Sequence, residues 1–522
     1  MTAKPNRSYR CKSTLPGGTR KYDCFDFLVV GAGTAGAAFA SLMVRQSGAD
    51  TALIEAGPDY GPLGVKWPSN LLREFLRMPD GSHDWGFRGT LREEVSRARP
   101  VPIWRGKVVG GSSAVNDCVA LRGFPSDYDE WNMDERQEWN WQSVVPAFRR
   151  AEEAMHVTCP SLDQLCPFQQ AFAEAVHAQG IPFHTDPNTR PLAQSVGPVP
   201  TNVFNGVRWN SSFSYLDHVR HLPGLAIFAA TLVDRLLFER MGRVAGLELI
   251  RDGKPMVILG KTIVLAAGVY SSPLILMRSG IGDPKHLRVH GVPTRQSLPG
   301  VGRSLQEHPT VAIKYGIGPR FLDAAPDQMK GAIQSMVVGR LRSDTQSGIY
   351  DLHLFPFLDP EENGGPILGI EISLLRPDSR GTVAMMSASA DQKPSINYRF
   401  LTERKDLAAL VAGIRIARCL GNLLAKEGWV TKEQTPGTAV LSDTQIAQYV
   451  TTTVGIGNHG SSTCKMGTEQ DALAVVDSRG RVRGYDNLVI CDSSIFPSVP
   501  RANTNLPTAM VAERLAQLYL QR

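Results

Sequence analysis

Residues 25–55 read FDFLVVGAGTAGAAFASLMVRQSGADTALIE, and their reading decides the fold. The apolar run at 25–30 reads as a buried strand, the glycines that follow as a turn, the next residues as a helix, and 51–55 as a second strand. Gly31 permits the tight turn, Gly33 lets the main chain approach a pyrophosphate, and Gly36 allows close helix–strand packing. The helix N-terminus offers unpaired N–H groups and a positive dipole end to phosphates. Glu55, about 20 residues beyond the last glycine, is placed to accept hydrogen bonds from an adenosine ribose. Strand, turn, helix, strand and acid together predict a dinucleotide site. No second fingerprint of this kind occurs, so a separate nicotinamide site is not expected.

Working outward, 522 residues exceed what one hydrophobic core usually serves, which predicts two domains or one large interleaved architecture. Hydrophobic residues at 42% and charged ones at 20% describe an ordinary globular chain and exclude a disordered one. The net charge of +6 is the small difference between 56 basic and 50 acidic residues; no basic stripe stands out, so no nucleic-acid partner is expected. The eight cysteines are scattered, without CxxC, and HExxH is absent, so neither a metal site nor a disulfide is expected. The leader MTAKPNRSYRCKSTLPGGTRKYDC lacks the apolar core of a secretory signal, and no apolar run of about 18 residues predicts a membrane span. These features lead to the expectation of a reduced, cytoplasmic protein.

Remote segments return to the first sheet. KTIVLAAG (261–268) and NLVICDSS (487–494) read as further buried strands, and NTNLPTAMVAERLAQLYL (503–520) as a final helix with Pro507 in its first turn. Between 306 and 454 the pattern changes. GIEISLLRP, GTVAMMSA and SINYRF read as strands, and Leu407, Leu410, Val411 and Ile414 mark one long helix. The predicted fold is α/β with an α+β cap. A Rossmann-like domain is assembled from 24–155, 200–305 and 455–522; a cap with a mostly antiparallel sheet comes from 156–199 and 306–454; residues 1–23 form a polar extension without an assignable role.

Several segments resemble the glucose–methanol–choline (GMC) oxidoreductases. RGKVVGGSSAVNDCVALRGFPSDYDEW (105–131) is similar to the first signature of that family, and AAGVYSSPLILMRSGIG (266–282) to the second. HGSSTCKMG, VVDSRGRVRGYDNL and DSSIFPSVPRANTNLPTAMVAE resemble its C-terminal region, with weaker matches at LPGVGRSLQEHP and RPDSRGTV. The resemblance implies bound FAD and oxidation of a small-molecule alcohol by hydride transfer to flavin N5. It leaves open whether oxygen, a quinone or another acceptor takes the electrons. Beside Gly31, Gly33, Gly36 and Glu55, it implies cofactor contacts at Thr34, Ala35, Ala56, Arg105, Val109, Gly111, Asn116, Val119, Val233 and Ala267, and at Asp492, Asn505 and Thr508 near the C-terminus. The dipole of the final helix would then stabilise an anionic reduced flavin.

The same resemblance assigns catalysis to His459 and Asn503. Loss of hydride from an alcohol carbon is easier as the hydroxyl proton leaves, and a neutral imidazole suits that task near neutral pH. Asn503 would orient the substrate oxygen without competing for the proton. Cys464 and His308 are read as structural. Gly457 and Asn458 stand where relatives often carry bulkier residues, which implies a roomier or more polar pocket. Some relatives attach flavin covalently to a histidine just before the asparagine of the first signature; here that position is Val115, and Cys118 is out of register, so FAD is expected to be non-covalent. Three other readings stand beside this one: a serine nucleophile in GGSSA, although Ala114 replaces the last glycine of the hydrolase elbow; a non-redox lyase on the same scaffold, like a hydroxynitrile lyase; and a flavin-binding protein without catalysis.

Overall fold

The computed structural model describes residues 10–12, 21–73, 81–92, 100–133, 136–239, 242–324, 336–344, 348–359 and 367–521. Its first sheet is organised around the strand Lys254–Leu265. The second half of that strand runs parallel to Lys21–Val30, and Thr51–Ile54 and Leu225–Phe228 extend the parallel sheet outward from there. Register is set by side-chain pattern: Val29 faces Val264 on one side and Leu53 on the other, and all three are fully buried. The first half of Lys254–Leu265 pairs antiparallel with Val244–Arg251, which pairs in turn with Thr231–Phe238. The remaining edge beside Ile263–Leu265 is filled, in parallel, by Leu488–Ile490. Residues more than two hundred positions apart in sequence thus complete one sheet.

The helix Thr34–Ser47 covers this sheet and packs against the last helix, Asn505–Leu520, with Phe39 meeting Tyr519 edge-on at 6.0 Å. The glycines at its start act as expected from the turn. Gly31 has φ +97, a conformation that a Cβ disfavours. A Cβ on Gly36 would lie 1.8 Å from the Gly31 carbonyl oxygen, so any side chain there would push the helix off the strand.

The second sheet is antiparallel and runs in the order Val430–Thr435, Pro309–Ile317, Ile367–Leu374, Leu352–Asp359, Val337–Leu341 and Ser195–Pro198, with Gly455–Ile456 added beside Pro309 and Thr310. The helix Arg404–Lys426 lies across it, where Gly413 allows contact with Ile372. Among the described residues this is the one helix long and apolar enough to cross a membrane; Leu410, Ile414, Ala417, Leu420 and Leu424 are instead buried against the sheet, as in a core helix. The strand-like stretches at 381–388 and 395–400 form a separate small ribbon, Thr382–Ala384 with Ser395–Asn397.

One expectation is overturned. Cys24 is disulfide-bonded, whereas Cys118, Cys159, Cys166, Cys419, Cys464 and Cys491 are free. The strand Arg10–Lys12 folds back antiparallel on residues 21–23, with Cys11 opposite Tyr22. That strand pairing, which no spacing motif announces, brings residues 10–12 beside the strand that carries Cys24.

Candidate active site

A single cavity of about 770 Å³ runs from the glycine turn, between the two sheets, to the loop carrying His459. At one end it is lined by Gly31, Gly33, Thr34, Ala35, Glu55, Ala56 and Val233. Arg105, Gly111, Asn116, Val119 and Ala267 line its middle, together with Asp492, Asn505 and Thr508. His459 and Asn503 lie at the far end beside Phe355, Ser373 and Ile456. Two expected contacts do not line it. Gly36 acts behind the turn, in helix packing. Val109 is fully buried, its N–H donated to the Pro58 carbonyl, because the turn at Gly110 and Gly111 aims its side chain into the core.

At the glycine end the main chain does the work. Thr34–Ser47 begins at Gly33 with no side-chain cap and no acidic residue in its first turn, so its N–H groups are left for a ligand. Gly111 backs directly onto Gly33, where a Cβ would come within 2.5 Å of the Gly33 Cα. The buried Glu55 carboxylate accepts N–H bonds from Ala32 and Gly57, both at 2.9 Å, and burial raises its pKa to about 7. Asp492 is committed to the protein. It accepts from Gly268 N at 2.9 Å, Ser272 Oγ at 2.5 Å and Ser494 N at 2.8 Å, tying the end of Leu488–Ile490 to the helix Gly268–Arg278.

The His459 end is made of side chains from distant loops. Asn503 Nδ2 lies 3.0 Å from His459 Nε2, and His308 Nδ1 lies 2.9 Å from His459 Nδ1. With Asn503 donating, Nε2 carries a lone pair and Nδ1 carries the proton, donated to His308. Burial holds His459 well below the usual histidine range, and it holds His308 at about 3, so both rings are neutral at neutral pH. Arg105 donates to the Asn458 carbonyl at 3.2 Å and stacks over the Tyr270 ring. Cys464 is buried with its thiol pKa raised by desolvation, consistent with packing. His308, read from sequence as structural, is in direct contact with the proposed base. The only signal for it was its place in LQEHP, a weak motif.

The residues fit FAD. Two uncapped helix N-termini, at Gly33 and at Thr504, open onto one cavity. Buried polar atoms without protein partners lie along it: Asn505 Nδ2, Asn503 Oδ1 and Asn458 Oδ1. Thr34 Oγ1 donates to Asn505 Oδ1 at 2.7 Å, linking the two helix ends and fixing which face of the amide is free. Buried polar atoms left unpaired are costly, and a polar ligand along this line removes the cost.

Comparisons with known proteins agree with this geometry. The models of the GMC oxidoreductase N- and C-terminal regions match residues 25–310 and 377–512. An oxygen-dependent choline dehydrogenase of Vibrio vulnificus (strain YJ016) is 31% identical over 535 residues, covering 95% of this chain and 94% of that protein. The mitochondrial choline dehydrogenase of Mus musculus is 30% identical, covering 95% and 89%. The crystal structure of pyridoxine 4-oxidase from Mesorbium loti superposes with a TM-score of 0.85 at 26% identity, covering 95% of this chain and 99% of that one. The chain belongs to the GMC oxidoreductase family and is an FAD-dependent enzyme acting on CH–OH donors.

Proposed function

We propose that His459 is the base that takes the hydroxyl proton of a small polar alcohol, and that Asn503 orients the alcohol oxygen. The observation carrying this reading is the ring of His459 held at the cavity wall between His308 Nδ1 and Asn503 Nδ2, with the Nε2 lone pair accepting from Asn503 until a substrate hydroxyl takes that place. Bound FAD supplies the acceptor for the hydride that leaves the alcohol carbon. Thr34 and the Gly33–Gly111 cradle would hold its pyrophosphate, Glu55 its ribose, and Asn505 and Thr508 its ring system. His459 is partly exposed at the cavity wall, and the desolvation that lowers its pKa gives the imidazole a weakly screened site in which to meet the hydroxyl. Asn503 Nδ2 can pass from His459 to the substrate oxygen without taking up a proton, because an amide does not titrate.

The substrate is a small primary or secondary alcohol. Choline and pyridoxine, the substrates in the names of the relatives, are the first compounds to test, with aryl, furanic and sugar alcohols beside them. Mixed anaerobically with the yellow enzyme, the correct alcohol bleaches the flavin; subsequent air or an artificial dye then reports the acceptor. If no alcohol bleaches a fully loaded enzyme, this reading fails and the non-redox alternative takes its place.

A further inference from the structure

The loop carrying His459 is held in an unusual way. The segments around Gln306 and Ser461 run side by side: Gln306 N donates to the Ser461 carbonyl at 3.1 Å and Ser461 N to the Gln306 carbonyl at 2.9 Å. Beyond them, Gly457 N donates to the His308 carbonyl at 2.9 Å. Between these two points the ladder is broken, because Asn458 adopts φ +61 and lifts the chain away. The N–H of His459 therefore has no backbone acceptor opposite it. A side chain fills that gap. Glu307 Oε1 accepts the N–H of His459 at 2.7 Å and the N–H of His308 at 2.8 Å. One buried oxygen thus fixes the backbone of both residues whose rings meet at Nδ1.

We infer that Glu307 is the positioning residue of the active site, acting as a hydrogen-bond acceptor that registers His308 against His459. The inference rests on the proposed role of His459. A carboxyl that only filled space here would be better replaced by an apolar group. Glu307 is 1% exposed, its Oε2 has no hydrogen-bond partner, and burial raises its pKa to about 7. The groups facing it are the Arg105 guanidinium, the Tyr270 and Tyr398 phenols, the two histidines and the Gly460 N–H. The histidine amides bond Oε1 directly at short range, whereas Arg105 faces the carboxyl through its charge; the function is assigned to the acceptor atom. Glutamine keeps that acceptor and removes the charge.

The test is anaerobic stopped-flow reduction of FAD-loaded Glu307→Gln, Glu307→Ala and His459→Ala. Glu307→Gln is expected within about 5-fold of the wild-type reduction rate, and Glu307→Ala about 100-fold slower, the scale of a misplacement near 1 Å, with substrate affinity changed much less than the rate. If Glu307→Gln falls as far as Glu307→Ala, charge and not positioning is at work and the inference is overturned. It is equally overturned if Glu307→Ala reduces at the wild-type rate while His459→Ala is slow. A wild-type rate in His459→Ala would instead overturn the assignment of the base. Should Glu307→Ala fail to load FAD, hydrogen exchange in the wild-type holoenzyme decides: the His308 and His459 amides must be among the slowest of residues 304–310 and 455–463 respectively, and rapid exchange overturns the inference.

Discussion

The two ends of the cavity are built on different principles. At the glycine end, recognition is a property of the main chain: Gly31, Gly33 and the uncapped start of Thr34–Ser47 lie within a few residues of one another. At the other end it is a property of side chains delivered by separate loops, with Arg105, Glu307, His459 and Asn503 meeting only in the folded protein. Under the proposed function, the first end grips and the second reacts. Damage to the first should therefore remove the cofactor, whereas damage to the second should leave a loaded, slow enzyme.

Gly33→Val tests this division most severely. The new side chain projects into the cavity where the helix N-terminus is exposed, and FAD loading should be lost, read as a colourless, folded protein. Wild-type protein precipitated with acid should in contrast release its yellow colour to the supernatant, since Val115 and not a histidine precedes Asn116; colour or an FAD mass adduct kept by the pellet would show a covalent bond and point to Cys118.

His459→Ala should keep FAD and slow flavin reduction by roughly 10²–10⁴-fold, the usual contribution of a positioned base. Asn503→Ala should cost about 10²-fold by removing one donor to the reacting oxygen, again with FAD content near one per chain. If either variant is purified without flavin, gripping and reacting are not separable and the division fails.

The smallest effect concerns pH. Burial lowers the folded pKa of His459 well below the histidine range, so the protonated, inactive form appears only well under the ordinary value. The flavin-reduction rate should then change by less than about 3-fold between roughly pH 6 and 8. An acid limb centred in that interval would mean that the ring is solvated in the loaded enzyme. The stability linkage has the same sign: an unfolded histidine binds a proton as pH drops below about 6.5 and the folded one does not, so this residue costs stability on the acid side.

The contrast also explains what could be read in advance. The glycine turn was legible because its chemistry is local: a tight turn, a close approach and a helix end are dictated by neighbouring residues. The return of 261–268 and 487–494 to the first sheet was legible from apolar runs, although which edge each would fill was not. His459 and Asn503 were paired by family resemblance alone, since nothing in their own spacing brings them together. Glu307 escaped notice because its function lies in accepting an amide 152 positions away. Val109 was misplaced because a residue beside a turn can point either way, and Cys24 because strand pairing and not a motif brings its surroundings together.

Completion of the first sheet by Leu488–Ile490 has a consequence for how the protein is made. Lys21–Val30 leaves the ribosome well before its neighbour Lys254–Leu265, and the last parallel edge comes later still. Pairings of such long sequence separation form slowly and late. The helix that presents Asn505 and Thr508 to the cavity follows after that. A chain that stops short of this helix therefore has half a grip and lacks the proposed reacting end, and redox capacity arrives only once Asn505–Leu520 has been made.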